Sequence, residues 1–134
     1  MVLFILILVT ACSSNYEQLT RVDVQKVDSG KDYEETNMIT DDQTIDEIKN
    51  IFKQIEWTPN VQVEMERGED VFATFFYQLN HGEPERLYEY RFWFEDSGGA
   101  TIISNNEKEG YGTLNEDAAK ELRTIFFNSE EDET

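Results

Sequence analysis

The order of periodic segments along the chain predicts an α+β fold: a single antiparallel β-sheet of about four to six strands, with two helices packed on one face. Two long β-prone runs, residues 71–79 and 87–95, are joined by a short loop whose Asn, Gly and Pro residues are typical of a hairpin. No βαβ alternation with glycine-rich turns is present, which argues against a nucleotide-binding α/β fold.

The first helix is predicted from Thr40, which forms a capping box with Gln43, while Asp41 and Asp42 place negative charge at the positive end of the helix dipole. Pro59 limits the helix, because the residue before a proline avoids helical backbone angles. Apolar side chains then recur every three or four residues and predict one buried stripe: Ile45, Ile48, Ile51, Phe52 and Ile55.

A second helix is predicted to begin near Asn115, with Asn115 or Thr113 as its cap and with Glu116 and Asp117 in its first turn. Its apolar stripe comprises Ala118, Leu122, Ile125 and Phe126. Trp57, which follows the first helix directly, is predicted to fill part of the core.

Alternation of apolar and polar side chains predicts the strands. Val22 and Val24 alternate with polar neighbours, and Met38 and Ile39 predict a second, brief strand. Further strands are predicted at residues 61–65, at 100–104 and, at an edge of the sheet, at 111–114. In the segment 87–95, one predicted face holds Tyr88, Tyr90, Phe92 and Phe94 against the helices, and the other holds Glu89, Arg91, Trp93 and Glu95.

Composition limits the classes of function. The sequence has 29 acidic and 11 basic residues, for a formal net charge of -18, and it is 39% hydrophobic and 13% aromatic. Such a charge repels phosphate backbones and anionic lipid headgroups, so neither nucleic acid nor a headgroup is expected as a partner. The hydrophobic content is nevertheless sufficient for a folded core.

The N-terminal residues predict a bacterial lipoprotein. Residues 2–9 form an apolar run, shorter than the ~20 residues that span a bilayer, and the small Thr10 and Ala11 precede the single cysteine, Cys12. This order resembles a lipobox, in which Cys12 becomes the first mature residue and carries an acylated anchor such as palmitate. The first basic residue is Arg21, a departure from the lipobox pattern that bears on export and not on the fold. The alternative is a core strand with Cys12 as a buried thiol.

These features divide the chain into four predicted parts. They are a lipoprotein signal peptide at 1–11, a lipidated tether at 12–19, a single α+β domain at 20–128 and an acidic tail at 129–134. A single cysteine that carries lipid leaves neither a disulfide nor thiol chemistry, so stability has to come from packing.

The order of motifs along the chain resembles that of the small Gram-positive lipoproteins of the YhfM-like type. The features that carry the resemblance are the lipobox ending at Cys12, the helix from Thr40, the Tyr-Arg-Phe-Trp-Phe strand motif at 90–94 and the Tyr-Gly-Thr-Leu motif at 111–114 before the last helix. The resemblance implies a membrane-anchored extracytoplasmic domain, and it supplies no catalytic residues.

No catalytic residue, metal ligand or cofactor is expected. His81 is the only histidine and lies in the predicted hairpin loop. A zinc site would need a second histidine or a free cysteine, and a Ser-His-Asp triad would have to use His81, so neither is expected. Residues 28–35 hold acidic side chains and a glycine without the spacing of a calcium loop, and Asp41 and Asp42 are explained by helix capping. Carboxylates are so abundant that no pair stands out as a general acid and base.

Trp93 is the main candidate for an interaction surface, together with Arg91 and the His81 loop. Alternation places Trp93 opposite the aromatic core face, where an exposed tryptophan is a typical interface anchor. The favoured alternative is that Trp93 covers a small cluster with apolar residues of the neighbouring strand or stacks on Arg91.

The resulting prediction is a non-enzymatic lipoprotein, a binding or scaffolding domain held on the extracytoplasmic face of the cell membrane by lipid on Cys12, with an envelope protein as candidate partner. Two alternatives stay open: a hydrolase of envelope material that works through carboxylates, and an inhibitor or regulator of an extracellular enzyme. A buried Trp93 without an open cleft would weaken the binding interpretation, whereas a pocket with converging carboxylates would favour the hydrolase.

Overall fold

Eight strands and two helices make up the described part of the chain in a computed structural model, which covers residues 16–28, 32–33, 35–79 and 82–128. The strands are β1 Leu19–Asp28, β2 Asp32–Tyr33, β3 Asn37–Ile39, β4 Glu56–Thr58, β5 Val71–Tyr77, β6 Arg86–Phe94, β7 Ala100–Ser104 and β8 Tyr111–Leu114. The helices are α1 Asp42–Phe52 and α2 Glu116–Asn128, and a short 3-10 helix, Tyr16–Gln18, precedes β1.

The strands form a single antiparallel sheet in the order β2-β1-β5-β6-β7-β8-β4, and β3 pairs with β1 off this path. This arrangement confirms the α+β prediction of one antiparallel sheet with two helices. The brief strand predicted at Met38 and Ile39 is present as β3. The strand count nevertheless exceeds the predicted four to six, because β2 and β4 are two and three residues long, too short to show a repeating pattern. Strand β8 pairs with β4 as well as β7, so it lies one strand in from the edge.

Both helices cover one face of the sheet. The Phe52 ring of α1 lies 4.6 Å from Phe75 and 6.1 Å from Phe92, measured between ring centroids, and Phe126 of α2 lies 5.0 Å from Phe92. Phe92 is fully buried between the two helices, and Tyr90 shares its face. The predicted assignment of the β6 faces is therefore confirmed.

The helix caps agree with the prediction at α2 and differ at α1. Asn115 caps α2, since its Oδ1 accepts a hydrogen bond from the Ala118 backbone N–H at 2.9 Å. At α1 the cap is Asp41 and not the predicted Thr40: the Asp41 Oδ2 accepts from the Thr44 backbone N–H at 3.0 Å. The Thr44 hydroxyl donates to the same Asp41 oxygen, and this hydrogen bond, together with the one from the Thr44 backbone N–H, favours the carboxylate and lowers the pKa of Asp41.

The segment 59–70 crosses the second face of the sheet. It joins β4 at one edge to β5, which pairs with β1 and β6 on the other side of the sheet. The predicted strand at 61–65 is therefore wrong: these residues contain no strand, and their valines lie over β7 and β8 instead of pairing with them. One alternating segment has the same pattern whether it pairs within a sheet or lies over one.

The folded domain begins earlier than predicted. Tyr16 and Leu19 are each only 3% exposed and belong to the core, so the folded domain includes Tyr16, which precedes the boundary predicted at residue 20. The predicted signal peptide, Cys12, His81 and the acidic tail lie outside the described residues. Among the described residues, neither helix has the length and apolar character needed to cross a bilayer.

Candidate functional site

A buried glutamate, Glu109, stands out in the loop between β7 and β8. Its side chain is 3% exposed, and the other buried polar side chains among the described residues, apart from tyrosines, are Thr101 and Ser104. Removing a carboxylate from water is costly unless hydrogen bonds replace the lost hydration. The hydrogen-bond donors around Glu109 therefore determine how its buried carboxylate is stabilised.

Three hydroxyl groups donate to the Glu109 carboxylate. Tyr16 donates to Oε2, while Tyr90 and Ser104 donate to Oε1 at 2.7 and 2.8 Å. We call these four residues the Glu109 cluster. Hydrogen bonds to an ionised carboxylate are stronger than those between neutral groups, so the cluster can hold a charge without a neighbouring cation.

Aromatic side chains fix the donors of the cluster. The Trp57 indole N–H donates to the Tyr16 hydroxyl at 2.9 Å, and the Tyr77 hydroxyl lies 3.5 Å from that of Tyr90. Burial raises the pKa of Tyr77 and of Tyr90, because a phenolate would have to form away from water. A tyrosine hydroxyl is already protonated at neutral pH at its ordinary pKa of about 10, so both tyrosines can act as donors there.

The loop that carries Glu109 is held by its own polar residues. The Asn106 backbone N–H donates to the Ser104 hydroxyl at 3.0 Å, and the Asn106 carbonyl accepts from the backbone N–H of Glu109 and of Gly110. Gly110 has a φ of 73°, and a Cβ there would lie 3.2 Å from the Cα of Pro59. A residue without a side chain is needed where the loop turns against the end of β4.

A partly open pocket lies on the far side of this loop. It has a volume of about 360 Å³ and is formed by segment 59–70 and the ends of β7 and β8. Its lining comprises residues 61–64, 103–104 and 110–111, so Ser104 and Gly110 border the pocket as well as the Glu109 loop. Glu64 is the one charged residue in this lining. Pockets of this size suit a small organic ligand.

The residues predicted to form an interaction surface do not form one exposed face. Trp93 is only 4% exposed, because segment 59–70 covers it and its indole N–H donates to the Arg67 carbonyl at 2.9 Å. Arg91 is exposed, with its guanidinium 5.9 Å from the centre of the Phe72 ring. His81 lies outside the described residues, so the structure does not test its predicted role.

The sequence offered no sign of the Glu109 cluster. Glu109 is one of 29 acidic residues and lies in a polar loop, where periodicity carries no information. Its partner Tyr16 is 93 positions away in the chain. The pairing depends on the strand order, which only the folded chain reveals.

The described segments contain no group of three or more His, Cys, Asp or Glu side chains arranged to hold a metal ion. A buried carboxylate that accepts a hydrogen bond from a serine hydroxyl, as Glu109 does from Ser104, is suited to proton transfer in general acid–base or nucleophilic catalysis.

Comparisons with known proteins give one informative result. No family model matches the chain, and no curated protein matches it. Among solved structures, the chain is similar to a thioesterase-like protein from Clostridium sporogenes, with a TM-score of 0.52 and 18% sequence identity. The alignment covers 82% of this chain and 95% of that one.

This comparison contradicts the prediction of a non-enzymatic binding or scaffolding domain and agrees better with the hydrolase alternative. An identity of 18% over 82% of the chain shows the architecture and not the activity. The chain has the fold of a thioesterase-like protein.

Proposed function

We propose that the protein is a carboxylate-dependent hydrolase that cleaves an ester or a thioester, with Glu109 as the general base and Ser104 as the nucleophile. One observation carries the proposal: the buried Ser104 hydroxyl donates to Glu109 Oε1 at 2.8 Å. A nucleophile within hydrogen-bond distance of a base, with that base oriented by further groups, is the arrangement that nucleophilic catalysis requires.

The chemical step follows from this contact. Ser104 Oγ attacks the carbonyl carbon of the substrate while its proton passes to Glu109 Oε1, and the tetrahedral intermediate then expels a thiolate or an alkoxide. That leaving group takes the proton from Glu109. Water next attacks the acyl-Ser104 ester, giving one proton to Glu109, which returns it to Ser104 Oγ as the free acid leaves.

Tyr16 and Tyr90 act as positioning residues in this scheme. Their hydroxyls fix both oxygens of Glu109, so that the carboxylate cannot rotate away from Ser104. The neighbouring structure agrees with this reaction class, since it is a thioesterase-like protein. Its name supports an acyl-transfer reaction and leaves the substrate of this chain to be determined.

The test is hydrolysis of short water-soluble substrates, p-nitrophenyl acetate for the ester and an acetyl thioester for the thioester, by the purified protein. We expect Ser104→Ala and Glu109→Gln each to lower kcat/KM by at least about 100-fold. The matched control is Glu107→Gln, an exposed glutamate two positions from Glu109 in the same loop, which should keep the wild-type rate. Melting curves of all variants show whether lost activity reflects lost folding.

A wild-type protein that hydrolyses neither substrate would contradict the proposal. Full activity in a correctly folded Ser104→Ala variant would also contradict it, because the nucleophile would then lie elsewhere.

We also propose that the protein acts on the extracytoplasmic face of the cell membrane, anchored by lipid on Cys12. The support is the lipobox-like order of residues before Cys12 and the resemblance to YhfM-like lipoproteins. Cells fed an alkyne analogue of palmitate should label the wild type and not Cys12→Ala, whereas Ser13→Ala should label normally. Equal labelling of Cys12→Ala would refute the anchor.

A further inference from the structure

Trp57 of β4 contacts both tyrosines of the Glu109 cluster. Its indole N–H donates to the Tyr16 hydroxyl at 2.9 Å, and its ring lies 6.1 Å from that of Tyr90, measured between centroids. The side chain is only partly buried. A phenylalanine would fill much of the same space without an N–H, so apolar packing alone does not account for an indole at this position.

The neighbouring strand makes room for the indole. Trp57 pairs with Gly112 of β8, and residues that pair across two strands place their side chains on the same face. A Cβ at Gly112 would lie 2.6 Å from Cε3 of Trp57, closer than two carbon atoms can pack. The missing side chain at position 112 therefore lets the indole lie against β8, from where its N–H reaches Tyr16.

The indole fixes the direction in which Tyr16 donates. An indole N–H can only donate, so the Tyr16 hydroxyl has to accept from it. The single hydrogen of that hydroxyl is then directed to Glu109 Oε2. The contact between the hydroxyls of Tyr77 and Tyr90 differs, because at 3.5 Å either oxygen could be the donor. Trp57 thus sets the order of donors in a hydrogen-bond chain that runs from Trp57 through Tyr16 to Glu109.

This chain holds the less strongly bound oxygen of the carboxylate. Oε1 accepts from two hydroxyls, those of Tyr90 and Ser104, whereas Tyr16 is the one hydroxyl donor to Oε2 among the described residues. Hydrogen bonds in a chain polarise one another, so donation by the indole strengthens the bond from Tyr16 to the carboxylate. A carboxylate held firmly at Oε2 keeps Oε1 turned towards the Ser104 hydroxyl.

We propose that Trp57 is a positioning residue of the site: it directs the hydroxyl hydrogen of Tyr16 to Glu109 Oε2 and so keeps Oε1 on Ser104. The catalytic consequence rests on the proposed hydrolase function, whereas the hydrogen-bond chain itself can be measured without turnover. Trp57 acts through Tyr16 and Glu109, and the proton still passes from Ser104 to Oε1 as described above.

The first measurement is a nitrogen–proton correlation spectrum of the isotope-labelled protein. The sequence has two tryptophans, so two indole signals are expected, and Trp57→Phe assigns them. Trp93 is the internal control, because its N–H donates at the same 2.9 Å to the Arg67 carbonyl on the opposite face of the sheet. We expect Glu109→Gln to move the Trp57 signal by more than its linewidth, since a neutral amide polarises the Tyr16 hydroxyl less.

The same spectrum of Tyr16→Phe shows whether the effect passes through the hydroxyl. In that background, Glu109→Gln should no longer move the Trp57 signal, and the Trp93 signal should stay in place throughout. A Trp57 signal that does not respond to Glu109→Gln in the otherwise unchanged protein would overturn the hydrogen-bond chain.

The second measurement is the kinetics of Trp57→Phe, which keeps an aromatic ring and loses the N–H. We expect kcat for p-nitrophenyl acetate to fall about tenfold with KM unchanged. Adding Trp57→Phe to Tyr16→Phe should cause no further loss, because the two side chains act in one chain. Trp93→Phe, which loses an equivalent N–H, should keep the wild-type kcat, and melting curves check the folding of each variant.

The combined results separate this inference from the proposed function. Unchanged kcat in Trp57→Phe, or a loss that adds fully to that of Tyr16→Phe, would overturn the positioning role while Ser104-dependent cleavage still supports the hydrolase. If the Trp57 signal responds to Glu109→Gln but the wild type cleaves neither p-nitrophenyl acetate nor the acetyl thioester, the hydrogen-bond chain stands and the hydrolase fails.

Discussion

Glu109 is the residue on which the proposed chemistry and the local packing both depend. Its two oxygens accept three hydroxyl hydrogen bonds, and the donors come from the 3-10 helix, β6 and β7. A carboxylate held in this way ties three separate elements together. The same side chain can therefore affect stability as well as activity, and variants have to separate the two.

Truncating Glu109 should destabilise the fold measurably. Glu109→Ala leaves three buried hydroxyls without their acceptor, and an unsatisfied buried polar group costs about 1–3 kcal/mol. Urea unfolding should show a loss of at least that size, while Glu107→Ala on the exposed part of the loop should change the free energy of unfolding by less than about 0.5 kcal/mol. Equal losses in the two variants would mean that the cluster contributes nothing specific.

Tyr90 should make the protein sensitive to alkaline pH. Burial raises the pKa of Tyr90 above that of an unfolded tyrosine, about 10, so the folded state keeps a proton that the unfolded state releases. Its contribution to stability is complete below about pH 10 and is lost as the pH rises further, by about 1.4 kcal/mol per pH unit.

Tyr90→Phe should remove that part of the slope of unfolding free energy against pH above about pH 10. Urea unfolding at several alkaline pH values measures it. An unchanged slope in Tyr90→Phe would show that Tyr90 ionises as readily in the folded protein as in the unfolded one.

At the scale of elements, two neighbouring residues, Thr40 and Asp41, are candidates for the N-cap of α1. The structure assigns the cap to Asp41, which accepts from the Thr44 backbone N–H, whereas the sequence pattern favoured Thr40. Asp41→Ala should therefore lower the free energy of unfolding by about 1 kcal/mol, and Thr40→Ala by much less. Urea unfolding of both variants decides between them, and a larger loss in Thr40→Ala would restore the capping box as first predicted.

The elements also differ in how well apolar periodicity predicts them. The long strands and both helices were predictable, because their apolar periodicity repeats several times. Segment 59–70 was not, because alternation within it has the same pattern whether the residues pair in the sheet or cover it. Trp93 illustrates the consequence: alternation correctly placed it opposite the helices, but only the path of this segment shows that it is buried.

At the scale of the whole molecule, Phe92 joins the sheet to both helices. It is fully buried and contacts Phe52 of α1 and Phe126 of α2. Phe92→Ala should cost roughly 3–5 kcal/mol, because it leaves a cavity that both helices border. Thermal or urea unfolding measures the loss, and Arg91→Ala on the exposed face of the same strand is the control. A near-neutral result for Phe92→Ala would contradict the packing of helices on this face.

The candidate site was much less predictable than the fold. Phe92 could be assigned to the core from its neighbours in sequence, whereas Glu109 could be found only once Tyr16, Tyr90 and Ser104 were brought together by strand pairing. Local sequence determines helices and strand faces, but a buried polar cluster depends on contacts between distant segments. The net charge of -18 also concealed it, since one functional carboxylate is indistinguishable among 29 acidic residues.

The most direct test of the central claim is to look for the acyl-enzyme itself. The protein would be mixed with p-nitrophenyl acetate, quenched in acid and digested, and the peptide that contains Ser104 examined by mass spectrometry. Acyl transfer to Ser104 predicts an acetyl group on that residue in the wild type, with none at that peptide in Ser104→Ala and much less in Glu109→Gln. An unmodified Ser104 peptide during turnover, or the same adduct level in Glu109→Gln, would contradict a nucleophilic Ser104 activated by Glu109.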